Sequence, residues 1–335
     1  MTEKTTEAVI MKPADLMKMS KIERIALVYK ARVAWPRQEK ILSAIEEIFD
    51  ESGLSPEPQC LAVFGKFGTS KSTIIDMIYE GHPRYHLDDR TVIPILRVVV
   101  PAIGSPNNLL IAILSALGDP TPHIGNNTIK MLRLKKLIHE CGVKMILFDE
   151  SNHLVDLMNV KVLHHVTNTL KNLLKETRIS CVLVGLPYTE EILLANGQLG
   201  SLFGDPIMIE PFEYDSEFTQ MVREIENLMP LAIKGKFSNA DLTWRVYIAS
   251  GGRMRYLMKL LRSATKICIK ENIDGYTLDV LSQAFEINVA GERRGISNPF
   301  VGMAPKSYKE PIDNYLPPSL KDKYQLPKRK KRKKK

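Results

Sequence analysis

The sequence has few cysteines and no long apolar segment. Its four cysteines are spread along the chain without a CxxC pair, which predicts reduced, structural thiols and no disulfide framework. No window approaches the roughly 18 uninterrupted apolar residues of a membrane-spanning helix. Residues 1–15 lack the basic and apolar stretches of a secretion signal. We therefore expect a soluble protein of the cytoplasm that does not bind a membrane.

Glycine and proline, at 19 and 20 of 335 residues, are too few for a low-complexity chain. Hydrophobic residues make up 44% and charged residues 25%, as in ordinary globular proteins. At about 150 residues per domain, the length allows about two domains. The formal net charge is +9, but the run KRKKRKKK at 328–335 carries eight of these charges and leaves +1 for the rest of the chain.

The basic run at 328–335 has three interpretations. It can contact DNA or an acidic face of a partner, act as a nuclear-import signal in a eukaryotic chain, or simply keep the end of the chain soluble. Contact with several phosphates would make its affinity fall steeply with salt. Because no aromatic residue interrupts it, the run cannot stack on bases.

Apolar periodicity predicts an alternating middle section flanked by helices. Helical spacing covers 13–33 and 36–53, and after Pro211 the pattern is wholly helical. Between them, strand-like apolar runs alternate with helical patterns, which predicts an α/β sandwich with a parallel sheet. The predicted strands are 60–65, 92–100, 143–150, 179–185 and 206–211, and the helices between them are 71–80, 106–117, 127–140, 160–176 and 188–196.

These patterns divide the chain into four predicted segments. An N-terminal helical segment covers 1–57, an α/β domain 58–212 and a small helical domain 213–290. From 291 the apolar periodicity fails and proline recurs, so 291–335 is expected to be a basic tail that is either flexible or ordered by a partner.

The segment 65–72 (GKFGTSKS) follows the first predicted strand and opens a helix. It matches the phosphate-binding loop G-x-x-x-x-G-K-[ST] except at Ser70, which replaces the second glycine. In such a loop, backbone N–H groups and the positive helix end bind a polyphosphate, Lys71 reaches the outer phosphates and Ser72 holds Mg²⁺. The alternative is a glycine-rich turn with a chance Lys-Ser pair. The predicted nucleotide-binding residues are Gly65, Lys66, Phe67, Gly68, Thr69, Ser70, Lys71, Ser72 and Thr73.

Two carboxylates end the apolar run MILFDE at 145–150. At the carboxyl end of a strand, Asp149 can reach the magnesium ion, and Glu150 can orient or deprotonate a water. The alternative is a strand that merely ends in solvated acids. Together with the loop, the pair predicts a site for ATP and Mg²⁺ with Lys71 and Glu150 as catalytic residues.

These motifs resemble AAA+ ATPases, and the surrounding sequence is similar to the TniB/TnsC regulators of DNA transposition. The resemblance implies an AAA+ P-loop fold in which 58–212 binds nucleotide and 213–290 is the helical lid. It covers about residues 20 to 270. The segments that carry it are RIALVYKARVAWPRQEKILSAIEEIF (24–49), the loop, PILRVVVPAIGSPNNLLIAILSALGDP (94–120), LIHECGVKMILFDESNHL (137–154) and LKNLLKETRISCVLVGLP (170–187).

The resemblance also assigns arginines. GGRMR at 251–255 resembles the second-sensor motif, with Arg255 as the better-spaced γ-phosphate sensor and catalytic residue, and Arg253 as the second choice; the alternative is an arginine in solvent. The family pattern QLxSRF has Leu202 in place of its trans-acting arginine, so either ATP hydrolysis is slow or another basic residue, such as Arg178 or Arg84, takes that role. No polar residue in 185–187 fits the first sensor.

For function, the resemblance implies a bacterial, cytoplasmic, nucleoid-associated ATPase that forms a ring or helical filament on double-stranded DNA. It would link a TniQ-like target selector to the transposase. The alternatives are a non-hydrolysing, ATP-gated DNA scaffold and a helicase or initiator loader. The candidate DNA surface lies within 123–136, where a solvated helix face is the alternative reading. Its residues are Thr128, Lys130, Arg133, Lys135 and Lys136.

Overall fold

The structure is a computed structural model that describes residues 13–310, except 17, 32, 34, 103 and 157–159. The basic run 328–335 lies outside the described residues. The chain divides into two compact units. The sheet unit contains Leu42–Gly65 and Lys71–Met208, and the helical unit contains Lys66–Ser70, 209–310 and the described residues up to Ile41. The four-segment division stays a prediction.

All strands of the described residues lie in the first two thirds of the chain, among helices. The strands are β1 (Cys60–Gly65), β2 (Tyr85–His86), β3 (Thr91–Val92), β4 (Ile95–Val99), β5 (Met145–Asp149), β6 (Ser180–Gly185) and β7 (Ile207–Ile209). The helices are α1 (Pro13–Leu16), α2 (Lys21–Lys30), α3 (Pro36–Asp50), α4 (Lys71–Gly81), α5 (Pro106–Leu117), α6 (Asn127–Glu140), α7 (His153–Asp156), α8 (Val160–Thr177), α9 (Glu191–Leu194), α10 (Gly197–Gly200), α11 (Ser216–Leu228), α12 (Ala240–Ser250), α13 (Met254–Glu271) and α14 (Leu278–Asn288). None of the helices in this described part is long and apolar enough to cross a membrane.

The main sheet has the strand order β4-β5-β6-β1-β7. β4, β5, β6 and β1 pair in parallel, with Val98 opposite Phe148 and Phe64 opposite Gly185. Every residue of β5 and β6 is buried, as expected for strands covered on both faces. The α/β prediction with a parallel sheet is confirmed. Because parallel strands end at one edge, the ends of β1, β5 and β6 share an edge of the sheet.

Helices α5, α6 and α8 pack on the sheet unit and close its core. Local sequence defines where they begin. Ser105 caps α5 by accepting from the Asn108 N–H, Pro106 occupies its first turn, and Gly118 ends it at φ +88°. Leu110, Ile113 and Leu114 then face the sheet core.

The helical unit is built around α13, which packs against α2, α12 and α14. Its core includes Trp35, Phe218, Leu257 and Phe285. Phe300 is also buried in this core, at 3% exposure. Residues 291–310 pack on the helices of this unit through aromatic and charged side chains without forming a helix, and the predicted boundary at 290 stays a prediction.

Candidate functional site

The loop between β1 and α4 forms the first part of the site. Lys71 opens α4 and donates from Nζ to the carbonyl of Gly65, the last residue of β1, at 2.6 Å. This bond lays the ammonium group along the backbone of the loop. The Thr69 hydroxyl donates to the Lys66 carbonyl at 2.8 Å. Ser72 is exposed in the first turn of α4, where a hydroxyl can reach a ligand at the helix start.

Two loop residues have a left-handed backbone. Gly68 has φ +84° and Ser70 has φ +67°. Ser70 stands where the motif has its second glycine, and its φ shows that this chain keeps the backbone that glycine favours. A non-glycine residue in this region is strained by about 1–2 kcal/mol.

Replacing Ser70 by glycine is expected to relieve this strain and raise the free energy of unfolding by about 1 kcal/mol. Urea denaturation would measure the change. Asn272, at φ +58°, is the matched control. Because asparagine tolerates this backbone better, Asn272→Gly is expected to stabilise less. An unchanged or lowered stability of Ser70→Gly would contradict the assignment of strain.

The acidic pair lies at the end of β5. Asp149 is buried, at 7% exposure, whereas Glu150 is exposed and has φ +54°. The Glu150 N–H donates to Asp149 Oδ1 at 2.9 Å, and Glu150 Oε2 lies 3.7 Å from His153 Nδ1. The turned backbone sends the two carboxylates into different environments, so they can have different roles.

Arg97 is a residue of this site that sequence reasoning missed. It lies on β4 and donates to Asp149 Oδ2 at 3.0 Å and to Asp76 Oδ1, on α4, at 2.6 Å. Burial alone lowers the pKa of Arg97, but its hydrogen bonds and charge interactions with Asp149 and Asp76 outweigh burial and raise it. The only sequence signal was one charged residue inside an apolar strand.

The residues present fit a magnesium ion bound together with phosphates. Ser72 and Asp149 are hard oxygen donors, which Mg²⁺ prefers, and Mg²⁺ commonly uses one or two carboxylates plus substrate phosphates. Within the described ranges, no group of three or more His, Cys, Asp or Glu residues could hold a metal by itself.

The two sensor candidates lie at the start of α13 in the helical unit. Arg253 is its N-cap and is buried, at 2% exposure. Arg255 is exposed, lies 4.8 Å from the ring centroid of Phe67 and 3.5 Å from a carboxylate oxygen of Glu292. A hydrogen bond from Lys259, together with the charges of Lys259 and Arg255, outweighs partial burial and lowers the pKa of Glu292. Arg255 is thus the more accessible candidate.

A polar side chain near the end of β6 was also missed. Thr189 lies in a short 3₁₀ helix, Pro187–Glu190, and is completely buried. Its Oγ1 has no hydrogen-bond partner among the described residues and would lie 2.4 Å from a Cβ added at Gly185. The sequence pattern predicts a first-sensor residue directly after the strand, at 185–187. The 3₁₀ helix instead places Thr189 beside Gly185 at the end of β6.

The structure gives different positions to the residues considered for the trans arginine. Leu202 is buried in the core of the sheet unit, where an arginine would be costly. Arg84 and Arg178 are both exposed, as a residue that acts on a neighbouring subunit must be. The choice between these two stays a prediction.

The candidate DNA residues on α6 mostly have partners within the chain. Lys130 is buried, at 3% exposure, and donates to Asn107 at 2.6 Å. Arg133 pairs with Asp119 at 2.8 Å, and Lys135 pairs with Glu176 at 2.5 Å. Thr128 and Lys136 are exposed, with Lys136 Nζ 3.7 Å from Glu140. In this arrangement Lys130 cannot contact a phosphate, because its ammonium group is inside the unit.

The parallel sheet with its flanking helices and the helical unit define a protein with the AAA+ fold. A family model described as "Bacterial TniB protein" matches residues 24–214, and the chain belongs to the TniB family. No curated protein matches it.

Solved structures with the same fold include ORC and Cdc6 proteins. The chain has a TM-score of 0.57 and 14% identity to the Aeropyrum pernix ORC2 protein in its ADPNP-ADP complexes, covering 78% of this chain and 71% of that one. For Cdc6p from Pyrobaculum aerophilum the values are 0.55 and 14%, over 76% and 67%. For the Aeropyrum pernix ORC1 protein in complex with DNA they are 0.53 and 17%, over 78% and 68%.

Proposed function

We propose that the protein is an ATP-dependent AAA+ regulator of DNA transposition. One observation carries the proposal: in a chain of the TniB family, a phosphate-type loop with Lys71 at its helix start accompanies Asp149 and Glu150 at the end of a parallel strand. This combination supports binding of ATP with Mg²⁺ and hydrolysis to ADP and phosphate.

Each residue has a separate role in this proposal. Lys71 neutralises charge on the outer phosphates, while Ser72 and Asp149 hold Mg²⁺, which would offset the developing phosphate charge. Glu150 orients or deprotonates the attacking water, since it is exposed beside the buried Asp149. Arg255, or Arg253 as the second choice, senses the γ-phosphate.

Assembly on DNA is the second part of the proposal. ATP held at a boundary between copies would favour a ring or helical filament on double-stranded DNA. The TniB assignment supports a role for this array in connecting a TniQ-like target selector with the transposase, in the bacterial cytoplasm at the nucleoid. One protein of the same fold was solved in complex with DNA and another with nucleotides. These structures support the proposal that this chain binds both DNA and nucleotide.

Of the five candidate DNA residues on α6, the exposed Thr128 and Lys136 form the proposed DNA surface. Lys130, Arg133 and Lys135 would have to exchange their internal partners before contacting phosphates. Contacts of this kind would position the protein on DNA without reading its sequence.

Electron microscopy of the full chain tests the proposal. With duplex DNA and a nonhydrolysable ATP analogue we expect rings or filaments, which should be lost when either is omitted. Arrays that form equally without nucleotide would contradict ATP control, and their absence with both ligands would contradict the proposal as a whole.

A loader of replicative helicases is a second candidate, favoured by the fold shared with ORC and Cdc6 proteins. A pulldown with transposase and with replicative helicase separates the two. Capture of the helicase alone would favour the loader.

A further inference from the structure

The corner of the phosphate-type loop is held from outside by the start of α13. Arg255 donates its backbone N–H to the Gly68 carbonyl at 3.1 Å, and Arg253 donates from Nη1 to the Phe67 carbonyl at 3.3 Å. A Cβ added at Gly68 would lie 3.3 Å from Arg255 Cβ, so the packing is tight. All of these residues belong to the helical unit. The Phe67 and Gly68 carbonyls of the loop thus both accept hydrogen bonds from the start of α13.

Arg253 is one of two buried arginines that converge on a single carboxylate. Arg253 Nη2 lies 3.1 Å from Glu310 Oε1, and Arg293 Nη1 lies 2.5 Å from the same oxygen. Arg293 also donates to the Ile248 carbonyl and to the Tyr308 hydroxyl. Two buried guanidinium groups so close together repel each other unless an anion lies between them.

The N-terminal end of α13 adds positive charge beside Arg253, and the same anion offsets it. Arg253 caps α13, and the positive end of a helix disfavours cations. The structure shows no side-chain hydrogen bond from this cap residue to the first turn of α13. Glu310 therefore offsets both arginines and the helix end together.

The absence of a side chain at Gly251 leaves room for the Glu310 carboxylate. Gly251 has φ +59°, and a Cβ added there would lie 2.4 Å from Glu310 Oε2 and 2.6 Å from Arg293 Nη2. Upstream, Arg245 donates to the carbonyls of residues 299 and 302, and Trp244 Nε1 donates to the carbonyl of residue 305 at 2.6 Å. The segment that carries Glu310 is thus anchored independently of the arginine pair.

We propose that Glu310 is a positioning residue for the nucleotide site. Its carboxylate, braced by Arg293, fixes the guanidinium of Arg253, and Arg253 fixes the Phe67–Gly68 corner of the loop. The proposal rests on nucleotide binding by this loop, which is part of the proposed function. It assigns to the segment after α14 a direct effect on affinity for nucleotide.

The test compares Glu310→Gln with Trp244→Phe in the full chain. Trp244→Phe removes the indole N–H that anchors the same segment, keeps an aromatic ring at that position and leaves the arginines paired. Two readouts are used: the Kd for a fluorescent nonhydrolysable ATP analogue, and hydrogen exchange of the backbone amides of 66–70 without nucleotide. Glu310→Asp is the conservative variant, in case Glu310→Gln folds poorly.

In Glu310→Gln we expect the Kd to rise about tenfold, as for loss of one charge-assisted hydrogen bond, and the exchange of 66–70 to become faster. Trp244→Phe should stay within about twofold of wild type in both readouts, and Glu310→Asp should recover part of the affinity. Unchanged Kd and exchange in Glu310→Gln would overturn the proposal and leave nucleotide binding intact. A wild-type protein that binds no nucleotide would instead overturn the proposed function, while the exchange measurement would still test the effect of Glu310 on the loop.

Discussion

Alanine in place of Lys71 is expected to weaken ATP binding about a hundredfold, because the side chain supplies charge-assisted hydrogen bonds to the outer phosphates. The fold should persist. Lys71 donates a hydrogen bond across the loop to Gly65, and the buried apolar residues of α4 that hold the helix on the sheet unit are unaffected. Titration with a fluorescent nucleotide would measure the affinity, and thermal unfolding without nucleotide would verify the fold.

Lys175→Ala is the charge-matched control for Lys71→Ala. Lys175 is exposed in the last turn of α8, and its loss changes the net charge by the same amount. We expect it to bind ATP like wild type. If both variants bind equally well, the loop is not a phosphate site and is better explained as a glycine-rich turn.

Much of the sheet could be predicted because its strands are buried on both faces and appear as apolar runs. The predicted strand 92–100 is an instructive exception. Pro94 interrupts it, since proline has no N–H for a sheet. Val92 pairs in the small β2–β3 hairpin, and Ile95–Val99 alone joins the main sheet. The Pro94 carbonyl instead accepts from the backbone of Lys144 and Met145.

The parts of the site that sequence could not predict are those made by contacts between distant segments. Arg97 reaches Asp76 and Asp149 only because β4 pairs with β5. Glu310 follows α14, in a segment without apolar periodicity. From the sequence, its partner Arg253 is predicted only as a candidate sensor of the γ-phosphate. Motif spacing identifies which residues carry the chemistry, but the residues that orient them are defined by tertiary packing.

The largest expected effect on turnover comes from Glu150→Gln. The variant keeps the shape of the side chain and removes the base, so hydrolysis should fall about 10²- to 10⁴-fold. Binding should be nearly unchanged, because Asp149 keeps both Arg97 and the Glu150 N–H as partners. Steady-state phosphate release and nucleotide affinity would be measured on the same preparations.

Glu47→Gln, on an exposed position of α3, is the matched control for Glu150→Gln and should hydrolyse ATP like wild type. The comparison also separates a motor-like ATPase from a scaffold gated by ATP. A scaffold would bind ATP and assemble on DNA, but its phosphate release would be equally low in wild type and Glu150→Gln. If wild type hydrolyses ATP and the variant does so at the same rate, Glu150 is not the base, and the catalytic carboxylate must be sought elsewhere in the sheet unit.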